Sequence, residues 1–371
     1  MGNPHRIGIV GLGVISAAYL ETLTASDAVV VTAVADLDAD RARMVAASLP
    51  GARALSVADL LASDDVDTVL NLTTPAAHAE IALGAIAQGK QVYGEKPLAA
   101  NLADGRLILD AAERAGVRVG SAPDTVLGTG IQTARAHIDA GLIGRPVAAS
   151  AVMVTAGHEF WHPNPDFYYR EGGGPLFDMG PYYITALVHL LGPIRSVTGA
   201  SSRPQDHRVI RTQPRSGEQI PVFVDTHVTG VLEHEGGALS TITMSFDSAA
   251  TAASPLEVHG TDGSLAVPDP NRFDGQVTLR GSGDDGWRPV HTSAGYEDGS
   301  RGIGLLDLIG CGPTNAAGAR ANGSLALHVL DVMASLQTAA TEGRRVSTTT
   351  DAGRPALVPL TPRTTWLGAI V

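Results

Sequence analysis

Arg6-Ile7-Gly8-Ile9-Val10-Gly11-Leu12-Gly13-Val14-Ile15-Ser16 is the stretch on which the fold turns. A short β-branched run, Arg6–Val10, leads into a glycine turn and then into a helical stretch, Ile15–Thr24. The turn reads G-x-G-x-x-S. Gly11 permits the tight turn, Gly13 lets backbone approach a diphosphate, and Ser16 is small enough for helix to pack on strand. A diphosphate at this turn would meet unpaired N–H groups and the positive end of the helix dipole. An ordinary strand-to-helix turn can carry the same letters, so the flanks decide. Asp36 stands twenty residues past Ser16, at the end of the next strand. A carboxylate there accepts from ribose hydroxyls and repels a 2′-phosphate. Gly11, Gly13, Val14, Ile15 and Asp36 are therefore expected to bind a dinucleotide, NAD in preference to NADP, with Arg41 and Arg43 close enough to leave NADP possible.

Outward from this turn, strand-like runs alternate with helical ones, the signature of a parallel sheet flanked by helices. The strands are expected at Arg6–Val10, Val29–Ala35, Thr68–Leu72, Gln91–Tyr93 and Arg118–Gly120. Helices are expected at Ile15–Thr24, Ala39–Leu49, Ala58–Leu61, Ala77–Gln88 and Ala103–Ala115, with Gly89 and Gly116 as stop signals. Near Asp124 the character changes. A helix at Thr129–Ala140 and β runs at Val147–Thr155, Pro221–Leu232, Ala238–Phe246, Pro255–His259, Ser264–Val267 and Gln276–Leu279 follow, with a late helix at Val329–Thr341. Most of these runs have no helix between them, which favours an open, mainly antiparallel sheet. The expected architecture is an α/β Rossmann dinucleotide-binding domain over residues 1–124 and an α+β substrate-binding domain over 125–371.

Composition agrees with two packed domains. The chain has 371 residues, 44% hydrophobic and 17% charged. Its formal net charge of −12 argues against coating nucleic acid or an anionic membrane. Cys311 is the one cysteine, so no intrachain disulfide or cysteine-based zinc site forms. The apolar run after Arg6 is too short to span a bilayer, and its glycine pattern has the better explanation above. A cytoplasmic protein without membrane attachment is expected.

Two further segments lie at strand ends. Leu72-Thr73-Thr74-Pro75-Ala76-Ala77-His78 places Thr73, Thr74, Pro75 and His78 at the carboxyl edge of the sheet, among possible cofactor contacts. The plainer reading has Thr74 capping the next helix, Pro75 starting it and His78 solvated in its first turn. Gly94-Glu95-Lys96-Pro97 follows another strand and points Glu95 and Lys96 at the crevice, or else forms a surface turn. Asp124 ends the last strand of the first half and is a candidate for the same crevice.

In the second half, Gly157–Pro193 is the informative stretch. Gly172-Gly173-Gly174-Pro175 reads as a flexible approach to a helix beginning at Asp178 and closed by Gly192-Pro193. Asp178 and Tyr182 are four apart and share a face; Pro181 is acceptable as a first-turn residue. The plainer roles are a helix cap for Asp178 and a core aromatic for Tyr182. His189, two turns on, reads as structural. His158 and His162 have a metal-like spacing, but Pro163 and Pro165 interrupt any helix there, so no metal is expected. His158, Trp161, His162, Tyr168 and Tyr169 instead suit a sugar pocket, aromatic faces stacking on C–H surfaces.

LTTPAAH and QGKQVYGEKPLA, at this spacing after the glycine turn, resemble the Gfo/Idh/MocA group of sugar and polyol oxidoreductases. The resemblance runs along nearly the whole chain. It implies that Lys96 stands beside the nicotinamide, that Asp178 contacts the substrate, and that the second sheet pairs copies into a homodimer or homotetramer. The family's helix carries D-x-x-x-H, whereas this chain has Tyr182 in the histidine position. The resemblance therefore implies hydride transfer between a secondary hydroxyl of a carbohydrate or polyol and nicotinamide, with Lys96, Asp178 and Tyr182 catalytic; Asp124, His158, Trp161, His162 and Tyr169 are expected to bind substrate from their position and side-chain chemistry. Two other readings are an NAD-recycling glycosidase or lyase and an NAD(P)-sensing regulator. Arg301-Gly302-Ile303-Gly304 and Ala326-Leu327-His328 are candidates to close the pocket.

Overall fold

Six strands, β1 (His5–Val10), β2 (Val29–Ala35), β3 (Arg53–Ala54), β4 (Thr68–Asn71), β5 (Gln91–Gly94) and β6 (Val119–Ser121), pair in parallel in the order β3-β2-β1-β4-β5-β6. The computed structural model describes residues 3–310 and 318–368; Cys311 lies outside the described residues. The chain builds outward from β1 in both directions. The crevice outside the carboxyl ends of β1 and β4 is thus the topological switch point, where such sheets take their ligands. The connecting helices are α1 (Ser16–Thr24), α2 (Ala39–Ala47), α3 (Val57–Ala62), α4 (His78–Ala87) and α5 (Leu102–Ala115). Asp38, Ser56 and Asn101 cap α2, α3 and α5 by accepting backbone N–H bonds. Neither α1 nor α4 has a side-chain cap, so the expected capping by Thr74 is replaced by a short 3₁₀ turn at Pro75–Ala77.

The second part is built from α6 (Thr129–Asp139), β7 (Pro146–Val154), α7 (Gly174–Leu191), β8 (Ile194–Ser202), β9 (His207–Val209), β10 (Gln219–Pro221), β11 (His227–His234), β12 (Leu239–Ser245), β13 (Leu256–Gly260), β14 (Gly263–Val267), β15 (Thr278–Gly281) and β16 (Arg288–Pro289). α8 (Ile303–Gly310), α9 (Gly323–Glu342), β17 (Val346–Ser347) and α10 (Arg363–Leu367) complete it. A nine-stranded sheet runs β16-β15-β14-β13-β7-β12-β11-β8-β17, antiparallel except between β7 and β12. Helix α9 joins the two halves, packing against α5 and β6 on one side and β8 on the other.

Three expectations need correction. The run Pro221–Leu232 is two strands, because the amides of Val222, Phe223 and Thr226 bond to Asp206, Tyr169 and Ser202 outside any ladder with β12. β8 is a nine-residue strand between β11 and the short edge strand β17, with no clear sequence signal. Its Gly199 faces Gly230 of β11, and both lie under Leu336 of α9, whose Cδ1 would be 2.5 Å from a Cβ at either position. Small residues stand there for packing, which hides the β pattern. Finally, α7 begins at Gly174, so Pro181 is in its interior. Pro181 has no N–H for the Phe177 carbonyl. Nearly every residue from Gly180 to Leu190 is buried, and tertiary packing holds the helix through the proline.

Candidate active site

The glycine turn is shaped for a dinucleotide. Gly11 has φ +92°, and a Cβ there would lie 2.7 Å from the Leu72 carbonyl. Among the described residues nothing lies within 4 Å of a Cβ at Gly13, and Val14 is fully exposed at the tip. Ser16 is buried and donates its hydroxyl to the Gly13 carbonyl at 2.7 Å. The amino end of α1, without a side-chain cap at Ile15, leaves backbone donors for a diphosphate. Asp36 ends just past β2 with Oδ2 accepting from Leu12 N at 2.7 Å and Oδ1 from Asp38 N at 2.8 Å. Arg41 Nη1 stands 3.4 Å from that carboxylate. These residues fit NAD.

Beyond β4, Asn71 accepts from Thr73 Oγ1 at 2.6 Å, while Thr74 and Pro75 are exposed at the rim. His78 departs from its expected solvated position. Its ring is 2% exposed, with Nδ1 2.7 Å from the Pro97 carbonyl and Nε2 3.0 Å from the Thr73 carbonyl. Burial lowers its pKa. Both ring nitrogens face backbone carbonyls, so His78 sits between the two loops at the crevice and turns neither nitrogen to a cofactor. Glu95 plays a similar part, accepting from Tyr19 Oη at 2.8 Å and from Lys96 N at 3.0 Å.

Lys96 and α7 meet across the crevice. Lys96 Nζ lies 2.9 Å from Asp178 Oδ1 and 2.6 Å from the Asp178 carbonyl. His158 Nε2 is 2.8 Å from Asp178 Oδ2. Asp178 is therefore an acceptor inside the helix and not its cap. Burial alone would raise its carboxyl, but Lys96 and the His158 hydrogen bond outweigh that and hold it at about 2. Burial likewise opposes the charge on Lys96, and Asp178 reverses the balance, keeping the ammonium protonated above the usual lysine range. His158 Nδ1 is buried with no hydrogen-bond partner among the described residues.

One turn along α7, Tyr182 is 6% exposed. Burial raises its phenol above the ordinary value, against the pull of Lys96 and Arg301. Lys96 Nζ stands 5.2 Å from the ring centroid, and Arg301 Nη2 donates to the phenol oxygen at 3.1 Å. Arg301, expected from the sequence only as a candidate to close the pocket, is here a direct partner of Tyr182; its one signal was its place in a glycine-rich run of a second-half loop. Ala326-Leu327-His328, read alongside it, does not close the pocket. His328 is buried and accepts from Ile194 N at 3.0 Å.

Asp124 also needs correction. It is fully buried, with Oδ2 accepting from Gly302 N at 2.8 Å and Gly304 N at 3.3 Å. It anchors the Arg301 loop and presents nothing to substrate. The two neighbouring tyrosines separate in the same way. Tyr169 is completely buried, its hydroxyl bonded to Glu159 and receiving His158 N, so it is not a pocket residue. Tyr168 instead meets the His158 ring edge-on at 3.9 Å, and burial beside Asp178 pushes its phenol up to about 12. Trp161 and His162 extend this wall outward, Trp161 being 58% exposed. His189 is fully buried against Gln132, as a structural residue should be. No described helix is long and apolar enough to cross a membrane.

Residues 5–122 match the family model described as an oxidoreductase family with an NAD-binding Rossmann fold, and residues 131–266 match the GFO/IDH/MocA C-terminal domain. Inositol 2-dehydrogenase 3 of Saccharopolyspora erythraea is 31% identical over 275 residues, spanning 72% of this chain and 74% of that protein. The 1,5-anhydro-D-fructose reductase of Ensifer adhaerens is 31% identical over 253 residues, 67% and 71% of the two chains. The crystal structure of an NAD binding oxidoreductase from Klebsiella pneumoniae shares the fold, with TM-score 0.81 and 24% identity over 94% of this chain and 100% of that one. The chain belongs to the GFO/IDH/MocA family of oxidoreductases and carries its NAD-binding Rossmann domain.

Proposed function

We propose that this enzyme oxidises a secondary hydroxyl of a sugar or polyol, with residues 1–124 holding the cofactor and 125–371 the substrate. The observation that carries the reading is the 2.9 Å ion pair between Lys96, at the cofactor edge, and Asp178, on the substrate-side helix. Its family relatives named above act on inositol and anhydrofructose. Bound NAD supplies the hydride acceptor. Gly11, Gly13, Val14, Ile15 and the start of α1 would hold its diphosphate, Asp36 a ribose, and Thr73, Thr74, Pro75 and Glu95 would shape the rest of the cleft.

Lys96 has three N–H donors and spends two on Asp178, which leaves one for the reacting hydroxyl. The Asp178 carboxylate has spare lone pairs for a neighbouring hydroxyl. With Nε2–H given to Asp178, His158 Nδ1 is a bare acceptor for a third. Tyr182 takes the hydroxyl proton as the carbinol carbon loses hydride. Trp161, His162 and Tyr168 stack on the C–H face of the substrate. Holding the hydroxyl between fixed donors and acceptors supplies much of the acceleration.

We also propose a cytoplasmic homodimer or homotetramer. The second sheet turns Val231 and Leu239, 39% and 49% exposed, away from its covering helices. An absorbance screen for NADH formation over inositols, anhydrosugars, hexoses and glycosides, with NAD and NADP in parallel, tests the function. NAD reduction by at least one of these is expected. Binding of NAD with reduction by none overturns the reading.

A further inference from the structure

We propose that Arg301 is the positioning residue that makes Tyr182 a proton acceptor, by holding a permanent cation on the phenol oxygen; this rests on the role given to Tyr182 above. A free phenol titrates near ~10 and a buried one higher, so Tyr182 needs a stabilised phenolate to work near neutrality. The charged and titratable groups facing it are Lys96 and Glu95 after β5, Asp178 on its own helix, Tyr168 on the pocket wall and Arg301. Glu95 and Asp178 disfavour a phenolate. Lys96 lies over the ring face and directs two N–H groups at Asp178. Arg301 is the group that bonds the oxygen itself, at 3.1 Å.

The guanidinium is set in place from several sides. Nη1 stands 3.6 Å from Asp124 Oδ1, and Nη2 also donates to Asn271 Oδ1 at 3.3 Å. The Phe273 ring lies 5.9 Å from Cζ. Asp124, in turn, holds the backbone of Gly302 and Gly304, so the loop after Arg301 is tied to the end of the first sheet. An arginine cannot lose its proton here and does not itself compete as the base. By occupying a lone pair of the phenol oxygen it also leaves the O–H, when present, free to point at the substrate.

The test is the pH profile of kcat/KM for oxidation, in wild type, Arg301→Met, Arg301→Gln, Arg301→Lys and Tyr182→Phe. The rising limb is expected to move up by at least about one pH unit in the Met and Gln variants. Their loss is then roughly tenfold or more at neutral pH and shrinks as pH rises, while Arg301→Lys shifts less and added guanidinium partly restores Arg301→Met. A loss of the same size at every pH, with the limb unmoved, overturns the proposal. Where one variant fails to fold, the others carry the comparison. Tyrosinate absorbance titration reads the Tyr182 pKa without substrate, as the difference between paired proteins with and without Tyr182→Phe; an unchanged Tyr182 pKa in Arg301→Met and Arg301→Gln also overturns it. If Tyr182→Phe leaves rate and limb intact, the role of Tyr182 fails instead. If it abolishes the rate while the Arg301 variants keep the limb, the role of Arg301 alone fails.

Discussion

Lys96 Nζ touches Asp178 twice, at the carboxylate oxygen and at the main-chain carbonyl, across 82 positions of sequence. The double contact fixes both the charge and the direction of the ammonium. Replacing Lys96 with Met removes the donor to the reacting hydroxyl and leaves Asp178 with His158 alone. A fall in kcat of at least ~10²-fold is expected, the usual scale for a proton-handling group. Steady-state kinetics on the substrate found by the screen check this; near-normal kcat would refute the role of Lys96.

Asp178 also links stability to acid. Its carboxyl is held at about 2 in the folded chain, below the ordinary value of 3.8. The stabilisation is complete above the unfolded value and is lost as pH falls from about 4 to about 2. Denaturant titrations across this window should show wild type losing on the order of 2 kcal/mol that Asp178→Asn does not lose. Parallel curves for the two proteins would contradict the assignment.

Asp36 carries the cofactor preference. Asp36→Asn keeps an oxygen for Leu12 N while removing the charge that repels a 2′-phosphate and attracts Arg41. The ratio of kcat/KM for NAD to that for NADP should fall at least ~10-fold. An unaltered ratio would remove Asp36 from the determinants of cofactor choice.

Gly11→Ala tests the diphosphate turn. A methyl group there faces both the positive φ and the Leu72 carbonyl 2.7 Å away. The turn must shift, at a cost on the order of 1–2 kcal/mol for the backbone alone. Calorimetric titration with NAD should give at least tenfold weaker binding. Wild-type affinity would mean that the turn does not contact the cofactor.

Much of the first half was legible because it rests on local rules. β-branched runs, a G-x-G-x-x-S turn and glycine stops announce a parallel sheet within windows of ten to twenty residues. Less of the second half was legible. Gly199 dilutes the β signal of β8 because α9 needs the space above it. Pro181 suggested a later helix start, since sequence could not show that burial on all sides would hold α7 through a proline. Within the site, Lys96, Asp178, Tyr182 and His158 were readable as candidates, while the choice between Tyr168 and Tyr169 was not.

By itself, then, the sequence determined the order of sheet and helix, the diphosphate turn and the residue types available for polyol chemistry. Tertiary structure alone decided which of them meet. It turned Asp124 and His78 inward to hold loops, sent Tyr169 into the core, and brought Arg301 onto Tyr182 from 119 positions away. The reason is physical: local pattern records a residue's own backbone preference. Burial and charge pairing depend on segments that become neighbours only once the core between them has formed.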